Sequence, residues 1–262
     1  MKANSVLIHL SLEHHGDWQK IFNSIQSTDH IGDENKAEGR IKAELHFGAA
    51  KALTLLDADY PESLKKIQQP PFVLYYRGDI SLLNSDKKKL SICGSKVPVA
   101  CNTDTLKNYI PEDVIVVSGG GVGIDTSILG TCFERGQPAI IVLGSGINCS
   151  YPATNQGLFE AIVDNGGLIL SEYPPMEEVS PEKLVMRTRI VSGLGDGLFV
   201  PECRVRSSSF YTIMGALQSG KPVMLLPTDP KYADQLQNNM LISEGAELVL
   251  SAQHITEILN KQ

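Results

Sequence analysis

Val114-Ile-Val-Val-Ser-Gly-Gly-Gly-Val-Gly-Ile-Asp125 is the stretch whose reading decides the fold. The apolar, mostly β-branched run Val114 to Val117 predicts a buried strand. Four glycines, Gly119, Gly120, Gly121 and Gly123, then free the backbone to turn sharply, and Ile124 with Asp125 opens a helical pattern. Strand, loop and helix N-terminus together make a natural anion site, because unpaired N–H groups and the positive end of the helix dipole favour a phosphate. The plainer reading is that glycine serves only the tight turn and close helix packing. For a single glycine the two readings balance; four together favour a ligand.

Working outward, the same rhythm repeats. Strand-like runs occur at Leu90 to Cys93, Val114 to Val117, Ala139 to Leu143, Leu168 to Leu170, Gly197 to Val200 and Pro222 to Leu226. Between them lie helical candidates: Asp125 to Arg135 ending at Gly136, Thr154 to Val163 ending before Gly166-Gly167, and Ser207 to Gln218 ending at Gly220. Such alternation implies right-handed βαβ crossovers. The expected fold is therefore α/β, an extended Rossmann-like fold whose mostly parallel sheet carries helices on both faces. Phe72 to Arg77, after the stiff Pro70-Pro71 turn, reads as an edge strand. Upstream, Leu7, Leu10, Leu12, Trp18, Ile21, Phe22 and Ile25 fit one or two short helices. Ala37 to Leu55 fits another, with Asp33 to Arg40 as a solvated link. This divides the chain into a short helical N-terminal segment, 1–56, and a Rossmann-like domain, 57–262.

Composition narrows the function. A net charge of −7 argues against a surface that coats duplex DNA, so any nucleic-acid site must be a local basic cleft. No apolar run approaches the roughly 20 residues that span a bilayer, and the early apolar run is broken by His9. A cytoplasmic protein without a membrane partner is expected. Its five cysteines are widely spaced and lack a C-x-x-C pair, which fits free thiols. No histidine lies between positions 47 and 253. A Ser-His or Cys-His triad or a His-ligated metal would have to borrow from the chain ends, so neither is expected, and no cofactor is expected either.

In a parallel sheet of this kind ligands sit beyond the carboxyl ends of the strands. The loops there are Gly94-Ser95-Lys96, Ser118 to Asp125, Gly144 to Pro152 with its G-x-G pair Gly144 and Gly146, Ser171 to Pro175, and Pro201 to Ser209. Their motifs run in order: G-S-K, S-G-x-x-x-G-I-D, L-G-x-G-x-x-x-x-Y-P-x-x-N, L-S-E-Y-P-P, R-x-R-I-x-x-G-L, E-x-x-x-R-S-x-S-x-x-T and N-x-L-I-x-x-G-A. In this order they resemble the DNA-processing protein A family, DprA/Smf, from about Tyr60 to Ser251. Each motif alone is weak; seven in one order are specific.

The resemblance implies a protein that binds single-stranded DNA without base specificity, works as a homodimer, helps load a RecA-type recombinase during natural transformation, and catalyses nothing. It implies a phosphate pocket of Gly94, Ser95 and Lys96, Ser118, Gly119, Gly121, Gly123 and Asp125, Gly144 and Gly146, the paired Arg187 and Arg189, and Arg206 with Ser207 and Ser209. Lys96 stands where the family usually has arginine and would meet phosphate as a point charge. Ser207 to Ser209 reads first as a helix N-cap, Asn155 as a structural hydrogen-bonder, Tyr173 and Phe210 as packing or base-stacking rings, and Glu202 as a carboxylate orienting an arginine. The chain departs from the family at Val122, where a basic residue is common, and at Leu184 to Arg189, where F-P-x-R-N-R is usual. The alternative is a Rossmann-like nucleotide sensor or nucleoside monophosphate-processing protein using Glu172 or Glu202; no P-G-G-x-G-T-x-x-E segment is present for it. A dinucleotide fingerprint is absent, since position 124 is isoleucine.

Overall fold

A computed structural model describes residues 2–27, 34–47, 49–205, 207–233 and 235–261. Three helices open the chain, α1 (Ala3–Glu13), α2 (Trp18–Gln26) and α3 (Glu34–Phe47). A first strand, β1 (Lys51–Thr54), a single turn of helix, α4 (Glu62–Lys65), and β2 (Val73–Gly78) follow. Then comes the alternating part: β3 (Lys89–Ile92), β4 (Ile115–Ser118), α5 (Ile124–Arg135), β5 (Ala139–Leu143), α6 (Gln156–Asp164) and β6 (Leu168–Ser171). Two helices in tandem, α7 (Pro181–Met186) and α8 (Thr188–Leu194), lead to β7 (Gly197–Val200), α9 (Ser209–Gln218) and β8 (Val223–Leu225). The chain finishes with α10 (Asn238–Ser243), β9 (Glu247–Leu248) and α11 (Ala252–Leu259).

The strands form one sheet in the order β1-β2-β6-β5-β4-β3-β7-β8-β9. From β6 to β9 every pairing is parallel, and β1 and β2 add an antiparallel flank. The fold is Rossmann-like α/β. Alternate residues of each strand feed opposite cores, as a period of two requires. Val116, Ile141 and Ile169 join Ile128, Phe159 and Ile255 on one face. Ile115, Val117, Ile140 and Val142 join Leu64, Ile190 and Leu194 on the other. A third cluster, Leu198, Val200, Val223 and Leu225 with Ile213 and Ala216, seats α9 on β7 and β8.

Three expectations for the first part of the chain are corrected. The segment 37–55 is not one helix: α3 ends at Phe47 and Lys51–Thr54 pairs with β2 as a strand. Residues 34–40, expected as a solvated link, belong to α3, while Asp33 lies outside the described residues. The strand after Pro70-Pro71 is not at the edge, because β1 flanks it on one side and β6 on the other. Its Pro-free span Val73–Gly78 is compatible with that inner position. The N-terminal helices pack onto this flank. Leu7, Leu12 and Ile41 enter the sheet's core, Trp18 stacks on Phe72 and donates through Nε1 to the Pro70 carbonyl at 2.8 Å, and the Tyr75 hydroxyl donates to Ser11 Oγ at 3.1 Å.

Strand order reverses at β3, whose neighbours are β4 and β7. Loops leaving the carboxyl ends of β3, β4 and β7 therefore meet at a crevice, the place where such sheets bind ligands.

Candidate nucleic-acid interface

The three loops at the reversal are knitted together by backbone. Ser95 N–H donates to the Glu202 carbonyl at 3.1 Å, and Ile124 N–H donates to the Ser95 carbonyl at 3.2 Å. Gly123, at φ +82°, lets the glycine loop lie on this turn; a Cβ there would come within 2.5 Å of the Ser95 and Lys96 carbonyls. Glu202, fully buried, turns its carboxylate on backbone, and no arginine among the described residues pairs with it. It accepts the N–H groups of Val99, Ala100 and Cys101 at 2.8–3.2 Å and so fixes the segment after Lys96. That role differs from the expected one, and no sequence spacing announces it.

Above the knot lies a cleft lined by Gly94, Lys96, Gly119, Gly121, Val122 and Asp125 on one side, and by Arg187, Thr188, Ser208, Ser209 and Thr212 on the other. Arg187 is its centrepiece. The guanidinium lies across Gly119, donates from Nη1 to the Val142 carbonyl at 3.0 Å, and keeps a buried Nε with no hydrogen-bond partner among the described residues. Buried donors are rarely left orphaned, and an orphan at a crevice invites an anionic acceptor. Asp125 faces the same space. Burial raises its carboxyl above the ordinary carboxylate range, opposed by the charge of Arg187 and by the N–H of Gly121, which donates to Oδ2 at 3.2 Å.

Part of the glycine loop's N–H supply is already committed within the fold. Gly120 N–H donates to Ser118 Oγ at 3.2 Å, and the amides of Gly121 and Ile124 are taken by Asp125 and Ser95. What the glycines supply is room: a Cβ at Gly119 would sit 1.4 Å from Arg187 Nη1. The cation comes from α7's end, 68 residues away from the loop it lies on, counted from Gly119 to Arg187.

Other expected residues fall elsewhere. Ser95 and Ser118 are buried beneath the cleft. Gly144 and Gly146 allow close approach of Leu184 and of the Pro174 carbonyl and do not line it. Arg189 does not line it either: its guanidinium grips the buried Glu172 through both nitrogens, at 2.7 and 2.6 Å, and donates from Nε to the Gln69 carbonyl at 2.9 Å. Ser207 to Ser209 do not provide the expected side-chain N-cap; α9 begins at Ser209, and Ser208 makes no capping bond. Ser209 is buried in the cleft wall. Arg206 lies outside the described residues. Asn155 donates from Nδ2 to the Gly120 carbonyl and to Thr126 Oγ1, at 2.9 and 2.7 Å, bracing the loop as expected. Tyr173 is buried against the α1–α2 turn and Lys183, a packing role, whereas Phe210 is exposed on α9. Lys96 is exposed at the cleft mouth and has no ion pair among the described residues; Val122 is 39% exposed beside it.

Size limits what the cleft admits. Its volume of about 50 Å3 is well below the ~300 Å3 at which small-molecule pockets begin, so it suits a phosphate group and not a whole nucleotide. Among the described residues no group of three His, Cys, Asp or Glu side chains is arranged to hold a metal, and no helix is long and apolar enough to cross a membrane.

Comparison with known proteins gives a consistent result. The family model for DNA recombination-mediator protein A matches residues 51–260. The DNA processing protein DprA of Streptococcus pneumoniae is 32% identical over 217 residues, covering 80% of this chain and 74% of its own length. That of Bacillus subtilis is 31% identical over 230 residues, covering 84% and 75%. The Synechocystis Smf protein is 33% identical over 205 residues, of which this chain spans only 51% of the length. Among solved structures, the Streptococcus pneumoniae DNA processing protein A superposes with a TM-score of 0.80 at 26% identity over 98% of both chains. The Helicobacter pylori DNA processing protein A, described for its single-stranded DNA binding mode, gives 0.70 at 25% identity over 80% of this chain and 96% of that one.

Proposed function

The chain belongs to the DNA recombination-mediator protein A family, and on that premise we propose that it binds single-stranded DNA without base specificity and hands it to a RecA-type recombinase. The observation that carries this reading is the Arg187 guanidinium, held over Gly119 with its Nε unpartnered in a phosphate-sized cleft. A strand's phosphates, common to every sequence, are the chemistry such a cleft recognises. Lys96 adds a mobile cation at the mouth, and Arg206 belongs to the same proposed set. The nucleotide-processing alternative lacks a free carboxylate: Glu172 is held by Arg189, and Glu202 by three amides. The protein acts as a binding platform in the cytoplasm and not as a catalyst, with 57–262 carrying the site and 1–56 as an accessory segment. A homodimer is part of the proposal. The exposed Phe210 and Leu217 of α9 and Met240 of α10 offer apolar surface on the β7–β9 half of the molecule. Light scattering across a dilution series tests this, and a mass that stays monomeric would remove it.

Two results follow for the cleft. Lys96→Ala should weaken binding alike for all sequences and lower the slope of log K against log salt by roughly 0.7, the value for one phosphate contact on a single strand. Val122→Lys should raise the slope by a similar amount. Anisotropy titrations at several salt concentrations read both, and an unchanged slope in each variant would remove the cleft from the binding path.

Binding should also be proton-linked. A phosphodiester beside Asp125 raises its carboxyl beyond the elevation that burial already imposes, so binding takes up a proton. Affinity therefore rises as pH falls through that elevated range, and levels off once the carboxyl is protonated both free and bound. No histidine lies in the sequence around the cleft to share this titration. Affinities measured at constant ionic strength across a pH series should show the rise in the parent chain and a flat profile in Asp125→Asn. Equal slopes in the two would refute the linkage.

A further inference from the structure

A second depression opens beside the cleft, between α8 and α9, with a volume of about 490 Å3. Thr188 borders both, so the two lie side by side. Its walls include Lys66, Gln69, Arg189, Tyr211, Met214 and Gln218, and no carboxylate. That is unusual for a chain of net charge −7. The groove beside the α1–α2 turn is lined by Glu13, Asp17, Glu172 and Glu182, and the one near α11 by Asp86, Glu112 and Asp113. Of these three larger depressions, only the one that adjoins Arg187 is free of acidic lining.

We propose that this α8–α9 groove holds the nucleoside flanking the phosphate bound in the cleft, with its base against Tyr211 and Met214. The inference rests on the single-stranded DNA reading above. Size fits: the volume falls within the range of small-ligand pockets, whereas the cleft's does not. Chemistry fits as well. Tyr211 is 53% exposed and Met214 38%, giving a flat ring and a polarisable thioether unpacked by the protein itself. Gln69 and Gln218 present amides that serve as donor or acceptor, so any base edge is tolerated. Lys66 at the rim stands ready for the next phosphate. The close approach of α8 and α9, where a Cβ on Gly215 would come within 2.5 Å of Ser192 Oγ, makes the floor rigid.

The test compares an oligothymidylate with the same strand carrying abasic sites, at low salt. Tyr211→Ala should weaken binding of the intact strand by about 5- to 150-fold, the range for loss of one stacked base, and leave the abasic strand unchanged. Tyr211→Phe should keep the parent affinity for both. Arg187→Ala, by contrast, should weaken both strands. The groove proposal fails if Tyr211→Ala binds both strands like the parent chain, or loses both to the same degree, the pattern of a disturbed oligomer. Failure of the parent chain to bind either strand would instead refute the DNA reading itself.

Discussion

Gly119→Ala is expected to lower single-stranded DNA affinity by at least tenfold while leaving the protein folded. The added methyl would overlap the Arg187 guanidinium, 1.4 Å from Nη1 and 2.2 Å from Cζ. Since the obstruction is the end of a flexible side chain and not backbone, the arginine yields by swinging out of the cleft. It then loses its bond to the Val142 carbonyl and its place beside Asp125. A lost charge-assisted hydrogen bond costs about 1.5–3 kcal/mol. For a chain of this size that is a fall in Tm of under about 12 °C. Binding suffers more, because the one cation held inside the cleft among the described residues has left it. Anisotropy with intact strands and a thermal melt read the two effects separately. Parent-like affinity in a folded Gly119→Ala protein would show that Arg187 is not a DNA contact.

Arg189→Ala should do the opposite, destabilising the fold first and DNA binding only as a consequence. Its guanidinium makes a two-pronged bond to Glu172, which is 4% exposed, and ties α8 to the Gln69 carbonyl and to the end of β6. Removing it leaves a buried carboxylate without its counter-charge, at a cost of about 3–5 kcal/mol. Urea unfolding should show the midpoint falling accordingly, with the slope unchanged. Pairing the change with Glu172→Gln should recover much of the loss, since the stranded charge is then gone. A midpoint within error of the parent would mean the pair contributes no stability.

The contrast between these arginines shows where the sequence was readable. The alternation of strands and helices, the glycine turn after β4 and the loops beyond the carboxyl ends could all be read from local pattern, because period and turn chemistry are local. Arg187 and Arg189 read as one motif. Yet residues two apart on helical backbone point in different directions, so one reaches the cleft and the other the Glu172 pocket. The partnership of Gly119 with Arg187, and of Glu202 with the amides of 99–101, joins distant segments, and no spacing rule encodes it. The strand Lys51–Thr54 was hidden in an Ala- and Leu-rich stretch with helical propensity, which pairing with β2 overrides. For the serines before α9, composition suggested a cap, but the helix starts on Ser209 itself and backbone carbonyls of Ser207 and Ser208 accept the first N–H groups.

Arg187, laid across Gly119, is the cation proposed to take a DNA phosphate. The most direct test of that role is the salt dependence of single-stranded DNA binding for the parent chain and Gly119→Ala, measured by fluorescence anisotropy. Binding should be tight at low salt and weaken linearly on a log–log plot, with the variant weaker throughout and its slope shallower by roughly 0.7. No binding by the parent chain at low salt, or superimposable lines for the two proteins, would contradict that role.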